Sequence, residues 1–273
     1  MNILVTLDRN YLHPLKIMLG SMFINNPGQV FHIYMIADGL TEKDYEDLES
    51  FVGKKYSFIH KVEFDEAIFD KAPASRYYSK AMYYRLLAAD LLPDDLDRIL
   101  YLDPDILVIN EVADLYNIDF EGKLFAAASH GDMMGLMDTV NRIRLLNLKA
   151  DLYYNSGVMM MNLDLMRMTI DKDGIFKYIE KNARGLILPD QDALNALYGH
   201  RVLSIDDSIY NFDTRDFFVE LISSKADKDM DWVVENTVFL HFCGKSKPWH
   251  RGYLGYFSAL YKHYEKLISY YIG

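Results

Sequence analysis

The chain opens by alternating two kinds of segment, and this alternation constrains its fold more than any other feature. An apolar run at Ile3 to Val5 precedes a helical stretch from about Pro14 to Asn25, and a second β run follows over Val30-Phe31-His32-Ile33-Tyr34-Met35-Ile36. Thr41 with Asp44 three residues later resembles a capping box, and Tyr45, Leu48 and Phe51 or Val52 recur behind it at helical spacing. Val62-Glu63-Phe64 reads as a third strand. Near-continuous apolar strands in β-α-β-α-β order predict an α/β fold with a mostly parallel central sheet and helices on both faces. Its ligand site should follow the carboxyl ends of the strands.

The first β-α turn, Thr6-Leu7-Asp8-Arg9-Asn10-Tyr11, has no glycine, so the G-x-G-x-x-G fingerprint is absent. Bare backbone cannot approach a pyrophosphate closely there, which argues against a dinucleotide-dependent dehydrogenase. A helix is predicted from about Ser79 to Leu92, with Met82, Tyr83, Leu86, Leu87 and Leu91 on one face and Pro93 ending it. Gly157 to Leu163 reads as a buried strand, Asp192 to Tyr198 as the start of a helix, and Thr237 to Phe242 as a strand ending in Cys243-Gly244. The stretches 132–150 and 223–231 are expected as the mobile loops.

With 273 residues, 51% of them hydrophobic, the chain can bury about three quarters of its unfolded surface, enough for one large domain with a C-terminal appendage. A formal charge of -11 speaks against a nucleic-acid partner, so an anionic ligand needs a local solution. Cys243 is the only cysteine, which excludes an internal disulfide and agrees with a reducing compartment. The N-terminus has no basic stretch before its short apolar run, and no run of eighteen apolar residues occurs, so a cytoplasmic home is expected, with peripheral contact at the inner face of the membrane left open.

Six D-x-D pairs occur: Asp95/Asp97, Asp103/Asp105, Asp171/Asp173, Asp190/Asp192, Asp227/Asp229 and Asp229/Asp231. Most suit solvated turns or helix caps. Asp103/Asp105 differs in context, because Ile99-Leu100-Tyr101-Leu102 leads straight into it and Ile106-Leu107-Val108-Ile109 resumes the apolar run. Charges so placed are costly to desolvate without a partner, and in extended chain positions i and i+2 point to the same side. Pro104 removes a backbone donor and stiffens the turn. Pairing with a nearby arginine, or capping of a turn, is the other reading of this pair.

Several segments together resemble a known family. ILVTLDRNY at the N-terminus, YYRL at Tyr83 to Leu86, YLDPD, YYNSGVMMMNLDLMR, LPDQDALN and LHFCGKSKPWH stand in the order found in the retaining glycosyltransferases of family 8, which include glycogenin and bacterial lipooligosaccharide galactosyl- and glucosyltransferases. The resemblance covers nearly the whole chain. It implies a Rossmann-like nucleotide-diphospho-sugar transferase fold of GT-A type over residues 1–250, with 251–273 as an aromatic helical extension.

It also implies a metal-dependent transferase that moves glucose or galactose from a UDP-sugar to a glycan or lipid-linked saccharide acceptor. A diphosphate brings about two charges to an acidic protein, and each unit repulsion at 4 Å costs about 4 kcal/mol at an effective dielectric of 20. By resemblance Asp103, Asp105 and His241 hold a divalent cation that offsets this. Oxygen ligands with one imidazole suit Mn²⁺ better than Mg²⁺, which stays open. Lys247 looks like the diphosphate-contacting lysine and the Gly244 amide a second donor, while Pro248 and Trp249 equally suit loop packing. Thr6, Asp8 and Asn10 match positions that contact uracil and ribose, although Asp8 alone reads as a turn residue.

Asn155-Ser156-Gly157 is similar to the family's sugar-facing turn, and Val158 to Met161 behind it reads as core. Arg85 is similar to an arginine that reaches the donor sugar or phosphate, its plain alternative being a surface salt bridge. Asp190-Gln191-Asp192 matches the segment nearest the anomeric carbon. Asp190 or Asp192 is the candidate nucleophile of a double displacement, and Gln191 the electrostatic stabiliser of a front-face reaction, which is preferred. Asp192 alone also suits a helix cap. At Ala128-Ser129-His130-Gly131-Asp132 the match to galactosyltransferases falls out of step, so the resemblance does not choose between the two hexoses.

Near the C-terminus Tyr253, Tyr256, Phe257, Leu260, Tyr261, Tyr264, Leu267, Ile268 and Tyr271 recur at helical spacing. Packing on the domain is the preferred reading, and resting on a membrane the alternative. A non-catalytic sugar-nucleotide or glycan-binding protein on the same fold is the rival from another class.

Overall fold

The computed structural model describes residues 1–69, 81–129, 152–183 and 185–271. In chain order the elements begin with β1 (Asn2–Asp8), α1 (Leu12–Asn25), β2 (His32–Asp38), α2 (Glu42–Gly53), β3 (Phe58–Lys61), α3 (Ala81–Leu86) and α4 (Ala88–Leu91). They continue with β4 (Arg98–Leu102), β5 (Ile106–Val108), α5 (Ala113–Tyr116), β6 (Phe125–Ser129), β7 (Tyr154–Asn162), α6 (Leu163–Thr169), α7 (Lys172–Asn182) and α8 (Pro189–Tyr198). The last are β8 (Val202–Ile205), α9 (Asp207–Tyr210), β9 (Phe212–Asp213), α10 (Phe217–Ser223), α11 (Met230–Asn236), β10 (Phe239–His241) and α12 (Ser258–Tyr271). The expected α/β class is met. The loop expected over 132–150 lies outside the described residues.

Two compact units share the chain. The first comprises Met1–His60, Leu102–Ile118 and Asp206–Gly273; the second comprises Lys61–Tyr101 and Asp119–Ile205.

In the first unit the strand order is β3-β2-β1, and β1 runs parallel to β2 in register from Asn2 opposite His32 to Asp8 opposite Asp38. Ile3, Leu4 and Val5 are fully buried, as an apolar run in a covered parallel sheet should be. Residues Leu15 and Ile17 to Phe23 of α1 are also buried, so this helix is enclosed on nearly all sides. Its polar residues hold the strand that follows the Asp-Pro-Asp turn. Ser21 Oγ accepts from the Val108 amide at 3.0 Å, Asn25 Nδ2 donates to the Val108 carbonyl at 3.0 Å, and Asn26 Oδ1 accepts from the Val112 amide at 2.9 Å. The capping box of α2 is complete: Thr41 Oγ1 accepts from the Asp44 amide and Asp44 Oδ2 accepts from the Thr41 amide.

A separate small sheet of order β5-β10-β9 also belongs to this unit. α12 packs on α1 through Ile268 and Tyr264, the latter accepting from Asn25. Its buried Tyr261 packs on Phe242 and Trp249, so packing accounts for the buried members of the C-terminal apolar spacing. A Cβ placed on Gly20 would lie 2.6 Å from Ile268 Cγ1, so only glycine lets the two helices approach this closely.

In the second unit the strand order is β4-β7-β6-β8, with β6 parallel to β8 and antiparallel to β7. Val158 to Met161 are fully buried core, as expected.

Two expectations shift. The third strand is Phe58–Lys61, not Val62–Phe64. It lies at the end of the strand order and is only partly covered, and its ladder forms through backbone, the Phe58 amide donating to the Phe31 carbonyl at 2.9 Å. An edge strand leaves little apolar signature to find. The helix expected from Ser79 breaks at Leu87 into α3 and α4, while Tyr83, Leu86, Leu87 and Leu91 are buried as the spacing required.

Candidate active site

In the first unit, β4 ends at Leu102 and the chain turns through Asp103-Pro104-Asp105 before β5 begins. β5 pairs antiparallel with β10 so that Ile106 lies opposite His241, and the Phe242 amide donates to the Asp105 carbonyl at 3.1 Å. This register places an imidazole beside two carboxylates separated from it by more than 130 positions in sequence. Ligand atoms of Asp103, Asp105 and His241 lie within 4.8 Å of one another. His241 Nε2 is 3.3 Å from Asp105 Oδ1 and 3.9 Å from Asp103 Oδ2.

β9 lies on the other side of β10, parallel to it, with Asp213 opposite His241. Asn211, just before β9, is fully buried, and its Oδ1 sits 2.8 Å from His241 Nδ1. An amide oxygen accepts a hydrogen bond from Nδ1–H, which turns Nε2 to the side where the carboxylates stand. Burial by itself lowers the His241 pKa, but Cys243 and Asp105 drive it well above the ordinary value. Burial likewise favours a protonated Asp105, yet His241 and Lys247 hold its carboxyl well below the usual carboxylate range. Lys247 Nζ is buried and donates to Asp105 Oδ2 and to the Phe242 carbonyl, the latter at 2.7 Å.

This donor set fits a divalent cation: two carboxylates and an imidazole whose Nδ1 is held by Asn211, in a place where Asp105 stays ionised despite burial. Pro104 is buried within the turn. Gly244 adopts φ +83°, open to glycine and strained for other residues.

At the end of β1, Asp8 caps the short turn Arg9–Tyr11, its Oδ1 accepting from the Asn10 amide at 2.8 Å, as its plain turn reading anticipated. Thr6 is buried near the end of the strand. Burial raises the Tyr11 hydroxyl pKa, with Lys247, Asp105, Asp103 and Asp8 all acting on it, so this turn and the carboxylate cluster share one electrostatic environment. Trp249 meets Tyr11 edge-on at 5.9 Å and Tyr261 at 6.0 Å, which gives it a packing role.

The second unit assembles another cluster. Arg85 on α3 donates from Nη1 to both the carbonyl and Oγ of Ser156, each at 3.0 Å, and its Nε lies 3.1 Å from Asp190 Oδ2. Its guanidinium also stacks 4.7 Å from the Tyr101 ring centroid. Gln191 Oε1 accepts from the Ser156 amide at 3.1 Å, and Asn155 Oδ1 accepts from the Gly157 amide at 2.8 Å. Arg85, Asn155, Ser156, Asp190 and Gln191, expected together, are therefore neighbours.

Asp192 has a different job. It is fully buried, and its carboxylate accepts from Tyr153 Oη at 2.6 Å and from the amides of Ile187 and Leu188 at 2.7 and 3.2 Å. It ties the loop before α8 to the start of that helix, close to the capping reading. Asn195, one turn on, holds Tyr154 through both its amide and its carbonyl, at 2.7 Å each.

Asn211, Tyr11 and Asn195 were not singled out by sequence. Tyr11 and Asn195 each end a segment that carries the family resemblance, but nothing in the spacing marks Asn211, because only strand pairing brings it to His241.

Comparisons with known proteins agree with this geometry. The sequence model of Glycosyl transferase family 8 matches residues 2–252. Lipopolysaccharide 1,2-glucosyltransferase of Escherichia coli is 30% identical over 262 residues, covering 93% of this chain and 74% of that protein. General stress protein A of Bacillus subtilis (strain 168) is 25% identical, covering 97% and 92%. Among solved structures, galactosyltransferase LgtC in complex with donor and acceptor sugar analogues superposes with a TM-score of 0.80 at 22% identity, covering 98% of this chain and 96% of that one. That likeness shows the fold, and the sequence match carries the membership: this chain belongs to glycosyltransferase family 8.

Proposed function

We propose that this glycosyltransferase moves a hexose, glucose or galactose, from a UDP-sugar to a saccharide acceptor with retention of anomeric configuration. The observation that carries the reading is the convergence of Asp103, Asp105 and the Asn211-oriented His241. Those three residues would hold Mn²⁺, or Mg²⁺ in its place, and such an ion supplies Lewis-acid stabilisation of the departing diphosphate. Lys247 and the Gly244 amide add donors for phosphate oxygens, and Thr6, Asp8 and Asn10 at the end of β1 receive the nucleoside.

In the second unit, Arg85, Asn155 and Ser156 position the donor sugar. Of the three candidates for the chemistry, Asp192 is saturated by three donors and Asp190 is paired with Arg85, so neither is disposed as a nucleophile. Gln191, its amide oriented by Ser156, suits electrostatic stabilisation in a front-face reaction. The acceptor is of the class that the lipopolysaccharide-directed relatives take, a cell-surface glycan or its lipid-linked precursor. Residues 1–250 make up the transferase domain in this proposal and 251–273 the extension. Work at the cytoplasmic face fits the proposal, and among the described residues no helix is long and apolar enough to cross a membrane. A peripheral membrane contact is left to the exposed side of α12, where Tyr270 is 75% exposed.

The test is UDP release with Mn²⁺ and a panel of UDP-sugars. One hexose donor should be turned over, and Asp103→Asn should abolish this in a folded protein. A donor that binds without hydrolysis or transfer would sink the proposal in favour of a binding protein.

A further inference from the structure

Asp213 closes β9 opposite His241 and is only 4% exposed. Its carboxylate is gripped by Arg215. Arg215 Nε donates to Oδ1 at 2.9 Å and to Oδ2 at 3.1 Å, Nη2 donates to Oδ2 at 2.5 Å, and the Arg215 amide donates to Oδ1 at 2.9 Å. A forked ion pair of this kind fixes the guanidinium plane, although the Arg215 side chain itself is 59% exposed. The remaining nitrogen, Nη1, lies 3.0 Å from where a Cβ on Gly244 would be. An oriented guanidinium edge and the Gly244 turn thus occupy one spot, directly after the strand that carries His241. Lys247 is turned the other way, inward to Asp105 and the Phe242 carbonyl, and is 6% exposed.

The two cations therefore divide the work. In the proposed function Lys247 meets the diphosphate from the cation site, where it also balances Asp105, and Arg215 presents an oriented charge on the solvent side of Gly244, where Lys245 is exposed as well. Resting on the UDP-sugar reading above, we propose that Arg215, buttressed by Asp213, is a further specificity-determining residue that grips a diphosphate oxygen of the nucleotide. The fixed plane matters because a guanidinium already oriented loses less rotamer freedom when a phosphate arrives.

The experiment is calorimetric titration of the full chain with UDP and with uridine, in Mn²⁺, for the wild type, Arg215→Lys and the double variant Asp213→Asn/Arg215→Gln. The double variant removes both charges at similar volume, so Asp213 is not stranded as a lone buried carboxylate. Both variants should bind UDP about tenfold more weakly, the size of one charge-assisted hydrogen bond, with uridine affinity and melting temperature unchanged. In the double variant, the dependence of UDP affinity on salt should also flatten. UDP affinity within twofold of wild type in both variants overturns the assignment. So does an equal loss for UDP and uridine, which marks a loop-bracing role. A wild-type chain that binds uridine as well as UDP overturns the diphosphate reading of the whole site and this inference with it.

Discussion

The cluster in the first unit and the cluster in the second are both rich in buried polar groups, yet they are balanced in opposite ways. Around Asp105 the acids converge on a point, faced among the described residues by Lys247 and by the His241 imidazole that Asn211 orients. Around Gln191 the described groups pair with one another: Arg85 with Asp190 and Ser156, Gln191 with Ser156, Asp192 with Tyr153 and two amides. In the proposed function an added cation completes the first arrangement, while the second presents a fixed shape. That reading needs both, one site to take up charge as a leaving group departs and another to keep a neutral sugar in place.

Breaking this contrast should have graded effects. Asp105→Asn has the largest, a loss of transfer of about 10³-fold with Mn²⁺ affinity falling in parallel, measured by donor turnover and calorimetry. Asn211→Leu should weaken Mn²⁺ binding about 10- to 100-fold, because Nδ1 loses the acceptor that sets its tautomer, and Asn211→Asp should recover part of the loss. Asp192→Asn tests the other side: about 2 kcal/mol of stability should be lost as buried amides give up a carboxylate acceptor, read as a lower Tm, while turnover per folded molecule and Mn²⁺ affinity hold. A collapse of turnover in a folded Asp192→Asn protein would restore the nucleophile.

The smallest effect belongs to Glu265, away from both clusters. Burial tends to raise its carboxyl pKa, but hydrogen bonds from Lys262 and His13 leave it lowered. A depressed folded value contributes stability above the unfolded pKa, and that contribution is lost as pH falls through the folded one. Glu265→Gln should therefore cost under about 1 kcal/mol at neutral pH and nothing once the wild-type carboxyl is protonated, by urea unfolding at both pH values.

What was legible in the sequence followed from local rules. The apolar runs of β1 and β2, the Thr41/Asp44 box and the buried flanks of Asp103-Pro104-Asp105 announce themselves within a few residues. His241 and Lys247 could be joined to the carboxylates only through the family's segment order, since β5·β10 pairing is a long-range fact. Asn211 and Arg215 carry no local mark at all, because their importance comes from β9 lying beside β10. Within Asp190-Gln191-Asp192 the division of labour depends on which donors surround each side chain, and the segment by itself does not show it.

The seat of Ile268 against Gly20 bears on how the C-terminus can be studied. A chain cut before Ser258 would uncover the face of α1 that Ile268 fills and the Phe242 ring that Tyr261 covers, so its tail deletion would be a core deletion. Loss of lipid binding or of activity in such a truncate would report an opened interior. Point changes at exposed positions such as Tyr270 or Leu254, 75% and 95% exposed, leave that seat filled and can report on a surface role by themselves.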